Sequence, residues 1–492
     1  MKQETATLES TPRRRLVKIL RGTVMVIAVL LTLLALVWTE ENWRGRRDWE
    51  KFRQAAEARG ERLDLASYIA APVSPEKNFY ATPLLEPLLD FEIVDGKVRW
   101  ADSNGVARAK SLGKISGAAL GLEKADLKAA QKHFLGNTNF PTPPKGQTPA
   151  ADVLFAMKPL EPMLAELYNA VQRPAAVFSQ HPDRDLPAMM TVFEIFKSMT
   201  QAGCLRALAH LESGDSTNAL IDVQFLFGTA NILRGEPLLI SQMVRAAILN
   251  IALVPVKKGL AEYRWSEPQL VELQQLLGGE DLLQDYAAAM RGERAFANEI
   301  MTHYIAGNYE VLGQKQPGFK WLGVFSPRGL LYQNQIALNL LTDDFSLKVV
   351  DLASRRVYPE RSTKEAFEAA LGRHTPYNIF ARLTTPALQK VSLQCAYLQS
   401  AVDQASLVCA LERSRLADGR FPETLEALVP KFCAAIPRDV IGGGALHYQR
   451  KADGMFLLYS VGWNGVDDGG VLGPVKDGKP DREQGDWVWY AK

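Results

Sequence analysis

The chain is poor in the features that identify most soluble enzymes and nucleic-acid-binding proteins. Its 492 residues include only four cysteines and no C-x-x-C pair, which argues against a zinc ribbon, a thioredoxin-like centre or a disulfide-dense scaffold. The net charge is only +2 and no RNA- or DNA-binding signature is present, so we expect neither a nucleic acid nor a nucleotide as a ligand. The sequence also lacks H-E-x-x-H, G-x-S-x-G, a Walker loop and a dinucleotide fingerprint.

One long apolar run is present near the N-terminus. Residues 22–39, GTVMVIAVLLTLLALVWT, carry no charge and span roughly 27 Å as a helix, close to the hydrocarbon thickness of a bilayer. Basic residues precede this run, namely Arg13, Arg14, Arg15, Lys18 and Arg21, and Glu40 and Glu41 follow it at once, before Arg44, Arg46 and Arg47. The cationic excess on the near side predicts an uncleaved single-pass anchor with a cytoplasmic N-terminus and an extracytoplasmic (periplasmic) bulk. A cleavable signal peptide is the alternative, although the run exceeds a usual h-region and no small-x-small site follows it.

The remaining pattern predicts a mainly α protein. No other apolar run reaches membrane length, and residues 151–400 show helical periodicity almost throughout. One helix pair alternates small and large residues as a tetratricopeptide hairpin does, but no 34-residue period recurs, so the domain is either repeat-like or an irregular bundle. The expected regions are a cytoplasmic basic tail (1–21), a transmembrane anchor (22–39), a membrane-proximal region of helices and loops (40–150), a helical domain (151–385), and a long helix with a small antiparallel sheet (386–492).

Several local signals fix the expected elements more closely. The stretch FEIVDGKVRW predicts a hairpin. Gly214 is expected to end one helix, and Asp215 or Ser216 can cap the N-terminus of the next helix. A long helix from about Pro386 to Ala417 carries an apolar stripe at 4-3 spacing. The members of that stripe are Val391, Cys395, Leu398, Val402, Ala405, Cys409 and Leu416. Free buried thiols are expected, although Cys409 and Cys433 could meet in space.

The C-terminal pieces follow a recognisable order. ALHYQR and MFLLYSV alternate as two strands joined by a KADG turn, and WVWY can form a third strand. Five short elements accompany them: Asp418-Gly419-Arg420-Phe421-Pro422, Pro437-Arg438-Asp439, Tyr459-Ser460-Val461-Gly462, Asn464-Gly465 and Asp486-Trp487. This order resembles the globular domain of type II secretion major pseudopilins, over about 90 residues of the chain. The remainder resembles large membrane-anchored bacterial proteins.

The resemblance implies a pilin-like α+β module at the end of a longer anchored protein. In pseudopilins the membrane helix continues directly into this long helix, and a Phe-Thr-x-x-Glu pattern follows the leader. Here the apolar run lies far upstream and that pattern is absent near Gly22. The module is therefore expected to serve a role other than assembly of a filament by the family's route.

The family's loop binds calcium, and the resemblance implies the same cofactor here. Calcium takes six to eight oxygen ligands in flexible geometry, which closely spaced carboxylates and carbonyls supply. Asn464 stands where the family has an aspartate. The candidate ligands are Asn464, Asp467, Asp468, Asp477, Asp481 and Asp486. A solvated Gly-rich turn is the alternative, whereas an active site is disfavoured because no partner base is evident.

Elsewhere the chemical signals are sparse. Glu299 and His303 lie four residues apart, with Glu293 earlier on the same predicted helix, so they can share a face and hold a metal, or form an ordinary side-chain contact. The run from Arg291 to Met301 predicts either a polar groove or a helix with internal ion pairs. Cys204 borders an apolar stripe and is expected to be a core residue rather than a nucleophile.

Two functions are compatible with these patterns. The first is a membrane-anchored extracytoplasmic scaffold, or a secretion- or envelope-associated protein that binds a protein partner. The second is a membrane-anchored hydrolase with a dispersed acidic and histidine site within residues 60–390. Buried acids and histidines clustered in one helical cleft would favour the hydrolase, whereas an isolated, exposed His303 would favour the scaffold.

Overall fold

Strong helix-forming stretches separated by Pro- and Gly-containing turns build most of the chain. The computed structural model describes residues 12–118, 126–144, 146–308, 310–311, 314–315, 326–476 and 478–489. The α-helices are α1 (Pro12–Ala58), α2 (Ser103–Lys110), α3 (Leu127–Leu135), α4 (Pro149–Met157), α5 (Glu161–Ala170), α6 (Pro182–Glu212), α7 (Ser216–Ile232), α8 (Leu239–Ala261), α9 (Glu267–Gly278), α10 (Leu282–Ile305), α11 (Arg328–Leu340), α12 (Lys364–Leu371) and α13 (Ile379–Asp418). The strands are β1 (Phe91–Val94), β2 (Lys97–Trp100), β3 (Glu310–Val311), β4 (Gln314–Lys315), β5 (Val350–Asp351), β6 (Arg356–Val357), β7 (His447–Arg450), β8 (Phe456–Ser460), β9 (Val475–Lys476), β10 (Lys479–Pro480) and β11 (Trp487–Trp489). The predicted mainly α fold is confirmed.

The N-terminal apolar run lies within α1, a single helix of 47 residues. By length and composition this helix can span a membrane or act as a signal sequence, and its apolar window is entirely unburied. The second half of α1 packs against α11, where Trp49, Ala56 and Leu63 form a small buried cluster. The apolar run is therefore continuous with a helix that belongs to the folded body.

A second helix, α8, also has the length and composition of a membrane span. This differs from the expectation of a single such run. Half of its apolar window is buried, and Arg245 within it pairs with Glu280 and Asp285. Since a helix that is apolar all round can be the core helix of a large domain, α8 is a packing element here.

The α6–α7 hairpin confirms the predicted turn. Gly214 has a positive φ of 79°, and the Asp215 side chain accepts a hydrogen bond from the backbone N–H of Asn218 (3.0 Å), which caps α7. The neighbouring helices α6, α7 and α8 have 31, 17 and 23 residues. Such unequal lengths favour the irregular-bundle alternative over a repeat.

The long C-terminal helix α13 begins earlier than predicted, at Ile379, and ends at Asp418. Gly419 follows as its C-cap with a left-handed φ of 73°. The predicted stripe is buried from Cys395 to Cys409, but Leu416 is 47% exposed and does not belong to it. Glu412 is buried instead, because Arg415 donates two hydrogen bonds to its carboxylate (2.6 and 2.7 Å). All four cysteines are free thiols, and burial raises the pKa of Cys204 as expected for a core residue.

A three-stranded antiparallel sheet of order β11-β8-β7 packs against α13. Its register pairs Trp487 with Ser460, and His447 with Tyr459. Gln404 on α13 donates a hydrogen bond to the carbonyl of Trp487 (3.0 Å). The predicted long helix followed by a small antiparallel sheet is therefore confirmed.

The predicted hairpin is also present as β1–β2, with Asp95 and Gly96 in left-handed conformations at its turn. One buried apolar cluster extends in sequence from Leu65 to Trp489. The membrane-proximal, helical and C-terminal regions expected from the sequence thus all contribute side chains to a common core.

Candidate functional site

The loop that follows β8 is closed by the aspartate that precedes β11. The Asp486 carboxylate accepts hydrogen bonds from the backbone N–H groups of Asp468 (3.3 Å) and Gly470 (2.6 Å), and the residue is 1% exposed. Burial raises the pKa of Asp486, while these two N–H groups oppose the shift. Asp486 therefore fixes the shape of the loop.

Asp467 points from the same loop toward the sheet. Its Oδ1 accepts hydrogen bonds from the Tyr459 hydroxyl (2.9 Å) and the Gly469 N–H (3.0 Å), and its Oδ2 lies 3.4 Å from His447 Nδ1. The Gly469 N–H, then the Tyr459 hydroxyl, hold the pKa of Asp467 below its ordinary value. This carboxylate remains exposed to solvent and charged at neutral pH.

The other predicted ligands divide into two places. Asn464 donates a hydrogen bond to Asp468 Oδ2 (3.0 Å) on the exposed side of the loop. Asp481 lies after β10 and accepts a hydrogen bond from the Glu483 N–H (3.0 Å), and Asp477 is outside the described residues. The structure thus brings four of the six candidates, Asn464, Asp467, Asp468 and Asp486, into one loop.

This loop offers the carboxylate and amide oxygens that calcium prefers. Each of the three aspartates there already accepts a hydrogen bond from a loop N–H, a hydroxyl or an amide. Three carboxylate or histidine ligand atoms lie within 4.8 Å of one another at a different place, on α6 and α10, and the loop aspartates in the described part of the chain do not form such a group. The donor chemistry of the loop therefore fits calcium, and an ion would have to draw the carboxylates closer together.

A buried aspartate connects the short elements that carry the resemblance to pseudopilins. The Asp439 carboxylate accepts hydrogen bonds from the Ser460 hydroxyl (2.8 Å), the Val461 N–H (3.0 Å) and the Ile441 N–H (2.9 Å). Ser460 in turn pairs with Trp487 across the sheet. Two of the five elements therefore meet at one buried carboxylate and a third joins them by strand pairing, which the order of the elements in the sequence did not indicate.

The Phe-Pro element packs at the same sheet. Phe421 contacts Phe456 edge-on with ring centroids 4.9 Å apart, and the Tyr448 hydroxyl donates a hydrogen bond to the Pro422 carbonyl (2.7 Å). These contacts attach the segment after α13 to strands β7 and β8. The C-terminal elements thus form one packed unit.

The Glu299–His303 pair predicted on α10 acquires a third member from α6. Glu299 Oε1 lies 3.4 Å from His303 Nε2, and Asp183 Oδ2 lies 3.8 Å from the same nitrogen. Glu293 does not join them, because its carboxylate accepts a hydrogen bond from the Leu239 N–H (3.2 Å). Sequence reasoning missed Asp183, since no local pattern links the start of α6 to the end of α10.

The Arg291–Met301 run is neither a polar groove nor a helix with only internal ion pairs. Arg294 is buried and pairs with Glu61 (2.6 Å) and with Asp343 in the π-helical segment Leu341–Ser346. Asn298 is also buried and exchanges hydrogen bonds with Asn339 on α11. These side chains therefore join α10 to neighbouring segments of the body.

A second buried polar cluster, also missed from the sequence, joins α5, α6 and α7. The Tyr168 hydroxyl donates to Asp222, and Arg206 Nε lies 3.2 Å from Asp222 Oδ1. His210 Nε2 lies 3.8 Å from the other oxygen of Asp222. Burial outweighs Arg206 and raises the pKa of Asp222 to about 7, and burial also lowers the pKa of His210.

A cleft of about 560 Å³ opens between two extended segments, 69–73 and 173–179, and the α7–α8 connection. Small apolar residues line most of it, and Glu236 is a carboxylate on its wall. Burial raises the pKa of Glu236 to about 7, and no ion pair to it is present within the described ranges. The cleft is therefore mainly apolar with one weakly acidic group.

The junction between α1 and α11 is unusually close. A Cβ atom on Gly45 would lie 2.5 Å from the Cα of Gly329, and the Gly329 N–H donates a hydrogen bond to the Asn42 side chain (3.0 Å). The Tyr377 hydroxyl donates to Glu41 (2.7 Å), which Arg44 also contacts. The hydrogen bond from Arg44 is the main cause that lowers the pKa of Glu41.

These geometries are the basis for inferring function. No known protein family, no curated protein and no solved structure matches this chain.

Proposed function

We propose that the protein is a membrane-anchored, extracytoplasmic scaffold associated with the envelope or with secretion, and that its pilin-like C-terminal module binds calcium and presents a surface to a protein partner. The observation that carries this proposal is the attachment of α1 to the body. An apolar, unburied helix continues without a break into a segment that packs closely on α11. A body joined in this way is held at a defined position relative to the membrane, whereas a flexible linker would let it move.

Several contacts make that attachment specific. The Gly45–Gly329 crossing lets the two helix backbones approach, and Glu41, just beyond the apolar stretch, is hydrogen-bonded to Tyr377. Further along, Gln333 donates a hydrogen bond to Asp48 (3.0 Å). Polar contacts at both ends of the crossing fix its register.

The orientation follows from charge. Arg13, Arg14, Arg15, Lys18 and Arg21 precede the apolar stretch, whereas Arg44, Arg46 and Arg47 follow it, so the positive-inside tendency favours a cytoplasmic N-terminus. The body then lies on the opposite side of the membrane. This side also suits the proposed calcium site, because calcium-dependent modules with weak sites operate where the ion is abundant.

The C-terminal module is supported by the convergence of its elements. Asp439 joins the Pro-Arg-Asp and Tyr-Ser-Val-Gly elements, and Asp486 closes the loop that carries Asp467 and Asp468. A loop held at one side by a buried carboxylate and open at the other can accept an ion without rebuilding the sheet. Calcium would then neutralise adjacent exposed carboxylates and order the surface around them.

Topology can be tested by labelling single cysteines in intact cells with a membrane-impermeant maleimide. Arg420→Cys, in the exposed turn after α13, should be labelled from outside, whereas Lys18→Cys should be labelled only after permeabilisation. The wild-type chain provides the background for its own four thiols. Labelling in the reverse pattern would refute the proposed orientation.

Calcium binding can be tested on the full chain in detergent. Added calcium should raise the unfolding temperature and a chelator should reverse the change, because an ion that binds only the folded state stabilises it. Asp467→Ala combined with Asp468→Ala should abolish the shift. Asp453→Ala, in the exposed β7–β8 turn, is the matched control and should retain it. An unchanged unfolding temperature of the wild-type chain would remove calcium from the proposal.

A further inference from the structure

Asp183, Glu299 and His303 come together although they belong to helices far apart in sequence. Glu299 and His303 lie one turn apart near the end of α10, and Asp183 lies in the first turn of α6. One oxygen from each carboxylate and one histidine nitrogen all lie within 4.8 Å of one another. The tertiary fold, rather than a single helix, therefore assembles this group.

The spacing of these atoms differs from that of a hydrogen-bonded network. His303 Nε2 is 3.4 Å from Glu299 Oε1 and 3.8 Å from Asp183 Oδ2, both longer than the usual N–H···O distance of about 2.7–3.2 Å. Two ligand atoms bound tetrahedrally to Zn²⁺ at about 2.1 Å are about 3.4 Å apart. Both distances to the histidine nitrogen are thus within a few tenths of an ångström of that value, and the two carboxylate oxygens lie within 4.8 Å of each other.

The surroundings give an ion access on one side. The side chain of Asp183 is only 14% exposed, whereas those of His303 and Glu299 are 33% and 38% exposed. Two carboxylates and a neutral imidazole carry two negative charges, which favours a divalent cation over a water molecule. Partial burial of Asp183 reduces the screening of that charge.

We propose that Asp183, Glu299 and His303 bind a divalent transition-metal ion of the Zn²⁺ type, with the fourth coordination position open to solvent. One nitrogen and two carboxylate oxygens form a ligand set that zinc accepts, and three protein ligands with an open position are typical of catalytic rather than structural zinc sites. This inference is independent of the scaffold and calcium proposal, which rests on the α1–α11 contact and on the C-terminal loop.

The opposite ring nitrogen has a neighbour suited to orient the histidine. The Asn308 Nδ2 atom lies 3.4 Å from His303 Nδ1. With the amide rotated so that its oxygen faces the ring instead, the Nδ1–H group would donate a hydrogen bond to Asn308 Oδ1, and Nε2 would be free to bind the ion. Asn308 is then a positioning residue, and its contribution to affinity is smaller than that of the three ligands.

Two consequences follow for the bound state. An ion held between α6 and α10 joins the first turn of one helix to the last turn of the other, so it stabilises the folded body by an amount that grows with the logarithm of its concentration relative to Kd. A water in the open position would have its pKa lowered toward about 7, as zinc does in hydrolytic sites. Such a water is a nucleophile that the hydrolase alternative from the sequence could use.

The test uses the full untagged chain in detergent, stripped of metal and titrated with Zn²⁺ alone by calorimetry. We expect one equivalent to bind, and His303→Ala or Asp183→Asn to weaken binding by about 100-fold or more. Co²⁺ in place of Zn²⁺ should give the visible absorption of a four-coordinate site in the wild-type chain and lose it in both variants. Circular dichroism without metal checks that both variants fold.

The control variant is His374→Ala, which removes an exposed histidine outside this group and should leave binding unchanged. Failure of the wild-type chain to bind Zn²⁺ would overturn the proposal. So would equal binding by folded His303→Ala, or a loss in His374→Ala as large as in His303→Ala. None of the three variants alters the C-terminal loop, so a difference in binding between them reports on the group at α6 and α10.

Discussion

Adding one methyl group at the α1–α11 crossing should loosen the attachment of the body to its N-terminal helix. In Gly329→Ala the new Cβ would lie 2.5 Å from the carbonyl carbon of Glu41 and 3.1 Å from the backbone nitrogen of Asn42. Both neighbours are backbone atoms of a continuous helix, so neither can rotate away as a flexible side chain would. The two helices must therefore separate locally.

The expected cost has two parts. Overpacking of a close contact costs about 1–3 kcal/mol. Separation of the helices also lengthens the hydrogen bond from the Gly329 N–H to Asn42, worth about 1 kcal/mol. We therefore expect the free energy of unfolding to fall by about 2–4 kcal/mol.

Denaturant unfolding of the full chain in detergent measures this change, and hydrogen exchange over residues 41–58 locates it. The matched control is Gly278→Ala at the end of α9, where a Cβ meets no atom within 4 Å and a gain of up to about 1 kcal/mol is expected from helix propensity. If Gly329→Ala is as stable as Gly278→Ala, with unchanged exchange in residues 41–58, the crossing does not hold the body as inferred.

Three further predictions concern the buried polar groups. Asp439→Ala leaves three buried donors without their acceptor and should lower the free energy of unfolding by about 3 kcal/mol, against under about 1 kcal/mol for the exposed Asp453→Ala, both measured in denaturant. Arg294→Met leaves two carboxylates without their buried partner and should cost about 3–5 kcal/mol, part of which Asp343→Asn should restore; full stability of the single variant would refute this. Glu236 keeps a proton in the folded state up to about pH 7, whereas the unfolded chain loses it near pH 4.5, so its contribution to stability is present below pH 4.5 and is lost as the pH rises to about 7. Glu236→Gln should therefore flatten the dependence of the unfolding temperature on pH across that interval and stabilise the chain at pH 8. An unchanged dependence of the unfolding temperature on pH would contradict the raised pKa of Glu236.

Features that depend on local pattern were predictable from the sequence. A local pattern in the sequence predicts each of three features: the apolar run, the Asp-Gly hairpin at Asp95 and Gly96, and the alternating strands β7 and β8. The same is true of the Gly214–Asp215 boundary between α6 and α7. These features require no knowledge of what lies across the core.

Features that depend on a partner far along the chain were not predictable. Glu412 interrupts an apolar stripe yet is buried, because Arg415 neutralises it, and Arg245 is buried in α8 for the same reason. No sequence pattern near Asp183 predicts its contact with His303. The sequence named the residues of the candidate loop, whose binding of an ion stays a prediction, whereas the role of Asp486 in closing the loop required the fold.

The length of α13 has a mechanical consequence. This helix starts two residues after Tyr377, which contacts α1 just beyond its apolar stretch, and it carries the C-terminal sheet from Tyr397 onward, about 27 Å along its axis. Its far end at Asp418 lies about 60 Å from its start. For a helix of this length a tilt of about 5° displaces the distal end by about 5 Å. A small rearrangement at the α1 contact would thus be amplified at the sheet, whereas a displacement at the sheet would reach α1 strongly reduced.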